Sequence, residues 1–364
     1  MDGFLLAAPD GVVRAHDTRA TFDDAQQAVT ALRDGTAAMV VGALPFDPRE
    51  PAALSVPGRV EHTAGPWRPA AVPELPPVSV LSELPSTGEH LARVAKLVEQ
   101  LADSRQPLRK VVAARSVLAA AEEPLDAEVV AAQLLTRHPR AHVYAVDLTP
   151  AGRAGETLVG ATPEVLVSRH GRTVTLHPLA GTLPRLADPD ADAVQARDLL
   201  ASTKNRDEHA FVIDWIADKL RPLCTSLSIP DGPELVQTQQ VWHLGTPITG
   251  TLRDPAPTAL ELALLLHPTP AVCGTPTPQA LEAIIELEGD RGFYGGAAGW
   301  CDGNGDGDWV VTIRCAEIAA DGLSLRAFAG GGIVAASEPL IELDETTAKL
   351  RTLLDSLNCA LPPN

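Results

Sequence analysis

Apolar residues recur along this chain with two rhythms. From Glu89 to Leu101 the positions Leu91, Val94, Leu97, Val98 and Leu101 follow helical spacing, which predicts a helix with one buried face. The same spacing predicts helices over Asp23–Leu32, Asp126–His138, Asp190–Ser202, Arg206–Leu220, Thr258–Leu266 and Pro278–Gly289. The last of these has Thr277 placed as its cap and Pro278 in its first turn. A final helix is expected from about Ser337 to Leu357, with Leu343, Leu350, Leu354 and Leu357 on one face.

Elsewhere the rhythm is that of strands. Strand-like runs cover Leu108–Leu118, His142–Leu148, Thr157–Gly160, Glu164–Arg169 and Arg172–Pro178, the last two joined by a His170-Gly171 turn. Three more follow at Phe293–Cys301, Asp308–Ile318 and Leu323–Phe328. Residues 1 to about 44 read as short strands and one helix. The stretch Pro45–Pro85 is rich in proline and should be neither regular helix nor central strand. Leu75, Val78, Val80 and Leu81 continue through it, so an extended segment pinned over a surface is expected. Strands in antiparallel-looking series broken by helices predict an α+β fold, not strict βαβ alternation.

Composition narrows the classes. The chain has 364 residues, 45% of them hydrophobic, with a net charge of −18. No apolar run approaches the ~20 residues of a membrane helix. The N-terminus lacks the basic flank of a secretory signal, which predicts a cytoplasmic protein with no membrane partner. Nucleic acid is an improbable ligand for so acidic a chain without a Lys/Arg cluster. Cys224, Cys273, Cys301, Cys315 and Cys359 form no CxxC pair or zinc spacing and are expected as buried thiols. Asp302-Gly-Asn-Gly-Asp-Gly-Asp308 imitates the start of an EF-hand loop, but Ile313 stands where the bidentate Glu is required. A polar hairpin loop is the better reading.

Several residues could carry chemistry. Glu342 and Glu345 are three apart on the last helix, on a face opposite its leucines, with Lys349 a turn later. Asn205 and Glu208 repeat that spacing on an earlier helix. Most such pairs are solvated faces; two helices contributing hard oxygens can also hold Mg²⁺. Lys110 lies among apolar strand residues and must be paired, snorkelling or functional. Glu164 opens an apolar strand, a common place for a turn residue. Arg314 puts a planar fork inside a strand, suited to a carboxylate. Gly330 and Gly332 let the backbone approach an anion closely.

Five ordered blocks add a resemblance. They are His267-Pro-Thr-Pro-Ala-Val-Cys-Gly274, Gly295-Gly-Ala-Ala-Gly-Trp300, Val310-Val-Thr-Ile-Arg-Cys315, Ala329-Gly-Gly-Gly-Ile333 and Glu342-x-x-Glu345-Thr-x-x-Lys349-Leu350. With matching blocks upstream the set covers roughly residues 105 to 355. It resembles the chorismate-utilising enzymes, and within them the isochorismate synthase branch. The resemblance implies one catalytic domain over 1–364, of layered antiparallel sheets flanked by helices. Residues 1–85 are weakly family-like and 86–360 form the core carrying the site. It implies Mg²⁺ held directly by Glu208 and Glu345, with Glu342 in the outer sphere; Asn205 departs from the acid found there in many members.

Lys110, in Arg109-Lys-Val-Val-Ala-Ala-Arg115, matches the general base, and its pKa would have to fall from ~10.4 toward ~7–8 through burial and nearby positive charge. Glu164, in Thr162-Pro-Glu, matches the general acid, which needs a raised pKa. Gly181, Thr182, His243, Ala271, Arg314, Gly330, Gly332 and Lys349 match substrate-binding positions, with Lys349 suited to a second carboxylate. Chorismate is a dicarboxylate, so an acidic chain must concentrate positive charge locally to bind it.

Ala180 stands where aminodeoxychorismate synthases have a nucleophilic Lys. Ala271 stands where ammonia users and salicylate synthases commonly have Thr. The implied reaction is therefore Mg²⁺-dependent isomerisation of chorismate to isochorismate, by a monomer without a glutamine amidotransferase subunit. Salicylate synthase, which goes on to eliminate pyruvate, is the alternative. A chorismate-binding protein without catalysis is a third reading, which the presence of both an acid and a base candidate disfavours. Isochorismate serves menaquinone and siderophore biosynthesis alike.

Overall fold

The computed structural model describes residues 3–70 and 72–361. Its first half contributes β1 (Phe4–Ala7), β2 (Gly11–Phe22), α1 (Ala25–Arg33), β3 (Met39–Leu44), β4 (Ala53–Ala64), β5 (Val78–Leu84), α2 (Thr87–Ala102), β6 (Lys110–Ala121), α3 (Ala127–Arg137), β7 (His142–Asp147), β8 (Thr157–Thr162), β9 (Val165–His170) and β10 (Thr173–Leu176). The second half contributes β11 (Leu179–Pro184), α4 (Pro189–Ala201), α5 (Thr203–Leu220), β12 (Cys224–Ser228), β13 (Glu234–Gln237), β14 (Val241–Gly245), β15 (Ile248–Leu252), α6 (Ala259–Leu266), β16 (Gly274–Thr275), α7 (Thr277–Glu288), β17 (Ala297–Asp302), β18 (Gly307–Val311), β19 (Cys315–Ile318), β20 (Ser324–Ile333) and α8 (Pro339–Leu354). The fold is α+β, as the strand and helix rhythms predict.

Seventeen strands form one antiparallel ladder. Followed edge to edge, it runs β12-β15-β10-β9-β18-β17-β3-β4. It continues β4-β2-β1-β7-β8-β19-β20-β6, with β5 and β16 against β6. The two halves face each other across an apolar core that includes Phe4, Met39, Tyr144, Val146, Val310 and Phe328. Helices α1, α5 and α6 cover the outside of one half, and α3 and α8 that of the other. A small sheet, β11-β14-β13, stands apart from the ladder.

Local chemistry explains why the helices sit where they do. Ser86 and Glu89 close a capping box on α2, and Val94, Leu97 and Leu101 bury its inner stripe. Each of those apolar side chains contributes roughly 1.5–3 kcal/mol by leaving water, and the cap about 1 kcal/mol. Thr258 and Glu261 form the same box on α6.

Four expectations need correction. The proline-rich stretch contains β4, whose first residues pair with both β2 and β3, so part of it is a central strand. Pro57 is tolerated because it lies at a register shift in the β2–β4 pairing, where a ladder bond is already interrupted. The cap of α7 is Pro276; Thr277 is the first helical residue and its hydroxyl donates back to Gly274 O at 3.4 Å. The run Asp308–Ile318 is two strands, β18 and β19, because Arg314 takes a left-handed φ of 52° and breaks the pleat. Finally, Glu342 and Glu345 do not lie on a solvated face: they are 1% and 9% exposed, as buried as the leucines beside them.

The Asp302–Asp308 segment is a hairpin loop between β17 and β18, as expected. The Asp302 carboxylate accepts from the backbone N–H of Asn304 at 2.8 Å and of Asp306 at 2.9 Å. All five cysteines are buried. Among the described residues no helix is long and apolar enough to cross a membrane.

Candidate active site

A single enclosed cleft gathers most of the residues singled out in the sequence. Its free interior is small, about 50 Å³, so the lining side chains stand close to one another. Glu164, Gly181, Thr182, Glu208, His243, Ala271, Arg314, Gly330, Gly332, Glu345 and Lys349 all line it. Lys110 and Glu342 lie just behind the wall, through their contacts with Glu208 and Gly331.

The ends of β6 and β20 build one wall. Val112 on β6 pairs with Gly332 on β20, and Ala114 with Gly330. The glycines are required by what presses on the strand. A Cβ at Gly332 would collide with the Glu208 carboxylate and stand 2.8 Å from Lys110 Cε. One at Gly330 would stand 2.7 Å from the Tyr294 hydroxyl. Bare backbone thus lets α5, and the acidic end of α8, bring carboxylates against the sheet.

Three lysines meet three glutamates there. Lys110 Nζ is 3.0 Å from Glu208, Lys204 Nζ is 2.7 Å from Glu342, and Lys349 Nζ is 2.5 Å from Glu345. Lys349 also donates to Gly330 O at 2.8 Å. Burial works against the Lys204 cation, but Glu342 outweighs it and raises its pKa. Burial pushes the Glu345 carboxyl up to about 7; Lys349 pulls it back, while Glu342 and Glu208 push it further up. The neighbour of Lys110 is therefore a carboxylate, not the cationic surroundings the general-base expectation asks for. With each carboxylate drawn to its own lysine, no metal-holding cluster of three acidic, His or Cys side chains stands ready among the described residues. The donor set still suits a hard divalent cation. Burial is the main cause of the raised Glu345 carboxyl, and the repulsion that Glu342 and Glu208 add to it is crowded negative charge that a cation would relieve.

Across the cleft, Glu164 is 3% exposed. Burial pushes its pKa up to about 7, against the Leu179 N–H and the charges of Lys110, Lys349 and Arg314, which lower it. The Leu179 N–H donates to its Oε1 at 3.4 Å. This carboxyl can hold a proton at neutral pH, as a general acid must.

The third wall comes from β11, β14 and the break between β18 and β19. Gly181 has φ +78° at a register shift in the β11–β14 pairing, a conformation that favours glycine. Arg314 Nη2 lies 3.0 Å from His243 Nε2, and His243 Nδ1 lies 2.9 Å from Thr182 Oγ1. A guanidinium only donates, so His243 Nε2 accepts and its Nδ1 carries the proton. The imidazole is neutral, since burial and the cations Arg314 and Lys349 hold its pKa well below the usual value. Thr182 therefore accepts from His243 and keeps its own hydroxyl proton for another partner. Burial also lowers the Arg314 pKa, to about 10, leaving it charged at neutral pH.

Some participants escaped the sequence reading. Tyr294, Val112, Leu179, Val272 and Ile313 line the cleft, and Lys204 neutralises Glu342. Tyr294 was visible only as an aromatic among glycines. Lys204 had a better signal, standing one helical turn before Glu208. Asn205 is buried, and its amide donates to Ser202 Oγ at 2.9 Å, which makes it part of the start of α5.

An antiparallel α+β sandwich with glycine-flattened strands, a buried carboxylic acid and a rim of cations suits a small polycarboxylate. Residues 68–358 match the model of the chorismate binding enzymes, and the chain belongs to that family. It is 50% identical over 361 residues to a putative isochorismate synthase MenF of Mycobacterium tuberculosis, covering 97% of this chain and 95% of that one. It is 43% identical to the isochorismate synthase DhbC of Bacillus subtilis, over 88% of this chain and 80% of that one. Among solved structures, that of a putative 2,3-dihydroxybenzoate-specific isochorismate synthase, DhbC from Bacillus anthracis, superposes with a TM-score of 0.89. Its sequence is 37% identical, with 98% of this chain and 96% of that one covered.

Proposed function

We propose that the chain is an isochorismate synthase in which Lys110 and Glu164 form the acid–base pair. Water attacks C2 of the chorismate ring and gives its proton to the Lys110 amine. The ring double bonds shift, and the C4 hydroxyl leaves as water with the proton of Glu164. One water enters and one departs, so substrate and product are isomers. In the reverse direction Glu164 is the base and Lys110 the acid.

The observation that carries this reading is Glu164, an enclosed carboxyl at about 7 facing a cleft rimmed by Arg314 and Lys349. That rim also answers the charge problem, since it gives an acidic chain a cationic place for a dicarboxylate. Arg314 offers a fork for one carboxylate, and the free Thr182 hydroxyl proton offers a donor. Glu208 and Glu345 would hold Mg²⁺ directly, with Glu342 behind them. The bound ion supplies positive charge to a substrate carboxylate. Glu208, which Lys110 Nζ approaches to 3.0 Å, would then be shared between the amine and the ion.

Ala180 and Ala271 line the cleft without an amine or hydroxyl, which suits water as the nucleophile. A reaction using water needs no ammonia, hence no amidotransferase subunit, and we read the enzyme as a cytoplasmic monomer. The whole of residues 1–364 serves as one catalytic domain in this reading. Its support is that β1 pairs with β7 and β3 with β17, weaving the N-terminal strands into the ladder. Incubation with chorismate and Mg²⁺, followed by product identification, tests the proposal. Isochorismate without pyruvate is expected; salicylate with pyruvate would favour the lyase reading, and unchanged chorismate would defeat both.

A further inference from the structure

A second cavity lies behind the catalytic cleft, at the other end of the same faces of β6 and β20. It is open to solvent on one side and has a free volume of about 470 Å³. Arg93, Arg115, Arg291 and Arg326 line it together with Glu89, Glu288 and Asp290. The carboxylates are already engaged. Glu89 accepts from Ser86 N at 2.9 Å, Glu288 from Arg291 and from Ala114 N at 2.7 Å, and Asp290 from Gly292 N at 2.6 Å.

The guanidiniums are only partly engaged. Arg115 is 2% exposed and reaches Glu83 through Nη2 at 2.6 Å and Thr347 Oγ1 through Nη1 at 3.2 Å, yet its Nε has no partner among the described residues. Arg93 reaches one carbonyl, Ala114 O, at 3.3 Å, and Arg326 one hydroxyl, Ser116 Oγ, at 3.0 Å; neither has a carboxylate partner. An unpartnered buried N–H is destabilising unless something accepts from it. What this cavity lacks is an acceptor.

We propose that it is a binding site for a small organic monocarboxylate. Guanidinium forks match a carboxylate bidentately. Glu83 pairs with Arg115 and Glu288 with Arg291, which leaves Arg93 and Arg326 without a carboxylate, so the cavity suits a single negative charge over a polyphosphate. Leu84, Pro85 and Phe328 supply the apolar part of the wall. The occupant would sit one residue layer from the substrate. Arg326 lies over the Phe328 ring at 4.8 Å, and Phe328 stacks on Tyr294 at 5.2 Å, with Tyr294 facing the cleft. Arg291 donates to Val112 O at 2.7 Å and Val272 O at 3.1 Å, both carbonyls of cleft-lining residues.

The test is binding alone, so it stands or falls separately from the catalytic reading. Calorimetric titration with benzoate should give a saturable heat, and benzamide, of the same shape without the charge, should bind at least about tenfold more weakly. Arg93→Gln/Arg326→Gln should weaken benzoate by a further tenfold or more while melting like the parent. Either single substitution, expected to cost several-fold, serves if the double variant does not fold. The benzoate heat should persist in enzyme pre-equilibrated with saturating chorismate. No benzoate binding, binding indifferent to both arginines, equal binding of benzamide, or loss of the signal to chorismate would each overturn the proposal, the last by placing benzoate in the catalytic cleft.

Discussion

Glu164→Gln should make the protein slower and, above neutral pH, more stable. In the unfolded chain this carboxyl titrates at its ordinary value of 4.5; folded, burial raises it to about 7. A raised carboxyl pKa means that the folded state holds the proton more tightly, so folding is favoured where the group is protonated in both states. That advantage is full below 4.5, falls as pH rises from 4.5 to about 7, and is flat above. The displacement corresponds to on the order of 3 kcal/mol lost between pH 5 and 8. Gln cannot ionise, so the variant should escape that loss. Urea unfolding of parent and variant at pH 5 and pH 8 measures the difference, with other groups that titrate in this window cancelling between the two. The same substitution removes the proton donor to the C4 hydroxyl, so kcat should fall about 10²–10⁴-fold from either substrate. In the parent, the fraction of protonated Glu164 halves near pH 7, so forward kcat should decline through that pH. A variant whose stability tracks the parent at both pH values, or which keeps parental kcat, would refute the argument that burial of this carboxyl makes the acid.

Lys110→Gln keeps a donor for Glu208 but no basic amine, and should lower kcat about 10²–10⁴-fold in both directions; normal turnover in either direction would return Lys110 to a structural role. Glu208→Gln or Glu345→Gln should weaken Mg²⁺ and chorismate binding together, read by calorimetry, and full activity after exhaustive metal removal would contradict the metal assignment. Ala271→Thr should reduce isochorismate formation, with residual product shifting toward pyruvate elimination; an unchanged rate and product ratio would show that this position does not select the nucleophile.

Much of the scaffold can be read from local pattern. The helix at Glu89–Leu101 has both its stripe and its cap written in adjacent residues, and the hairpin through His170-Gly171 has its turn between two apolar runs. The region from Leu179 to Leu252 is less legible. Its strands β11 to β15 are four to six residues long and mix polar with apolar positions, because several are only half covered. Too few residues share one face for a period to emerge. Arg314 hides differently: its apolar neighbours continue the strand rhythm, while its own backbone leaves it. Membership of the site was legible through the order of the sequence blocks. The lysine–glutamate pairing was not, since Lys204 and Glu342 belong to helices far apart in sequence and their contact depends on how α5 and α8 cross the sheet.

The position of α8 in the chain has a consequence for how the protein is made. This helix brings Glu342, Glu345 and Lys349 to the cleft and follows every strand of both sheets in the chain. Its partners reach back to Lys204, Glu208 and the wall formed by β6. Until α8 docks, the buried carboxylates and lysines of the earlier elements have no complete set of counter-charges, and the face of β20 it covers is bare. Folding here is dominated by contacts between distant parts of the sequence, which form slowly. A chain cut short before Pro339 would keep the strands of both sheets and still lack two of the glutamates and one of the lysines that meet at the cleft.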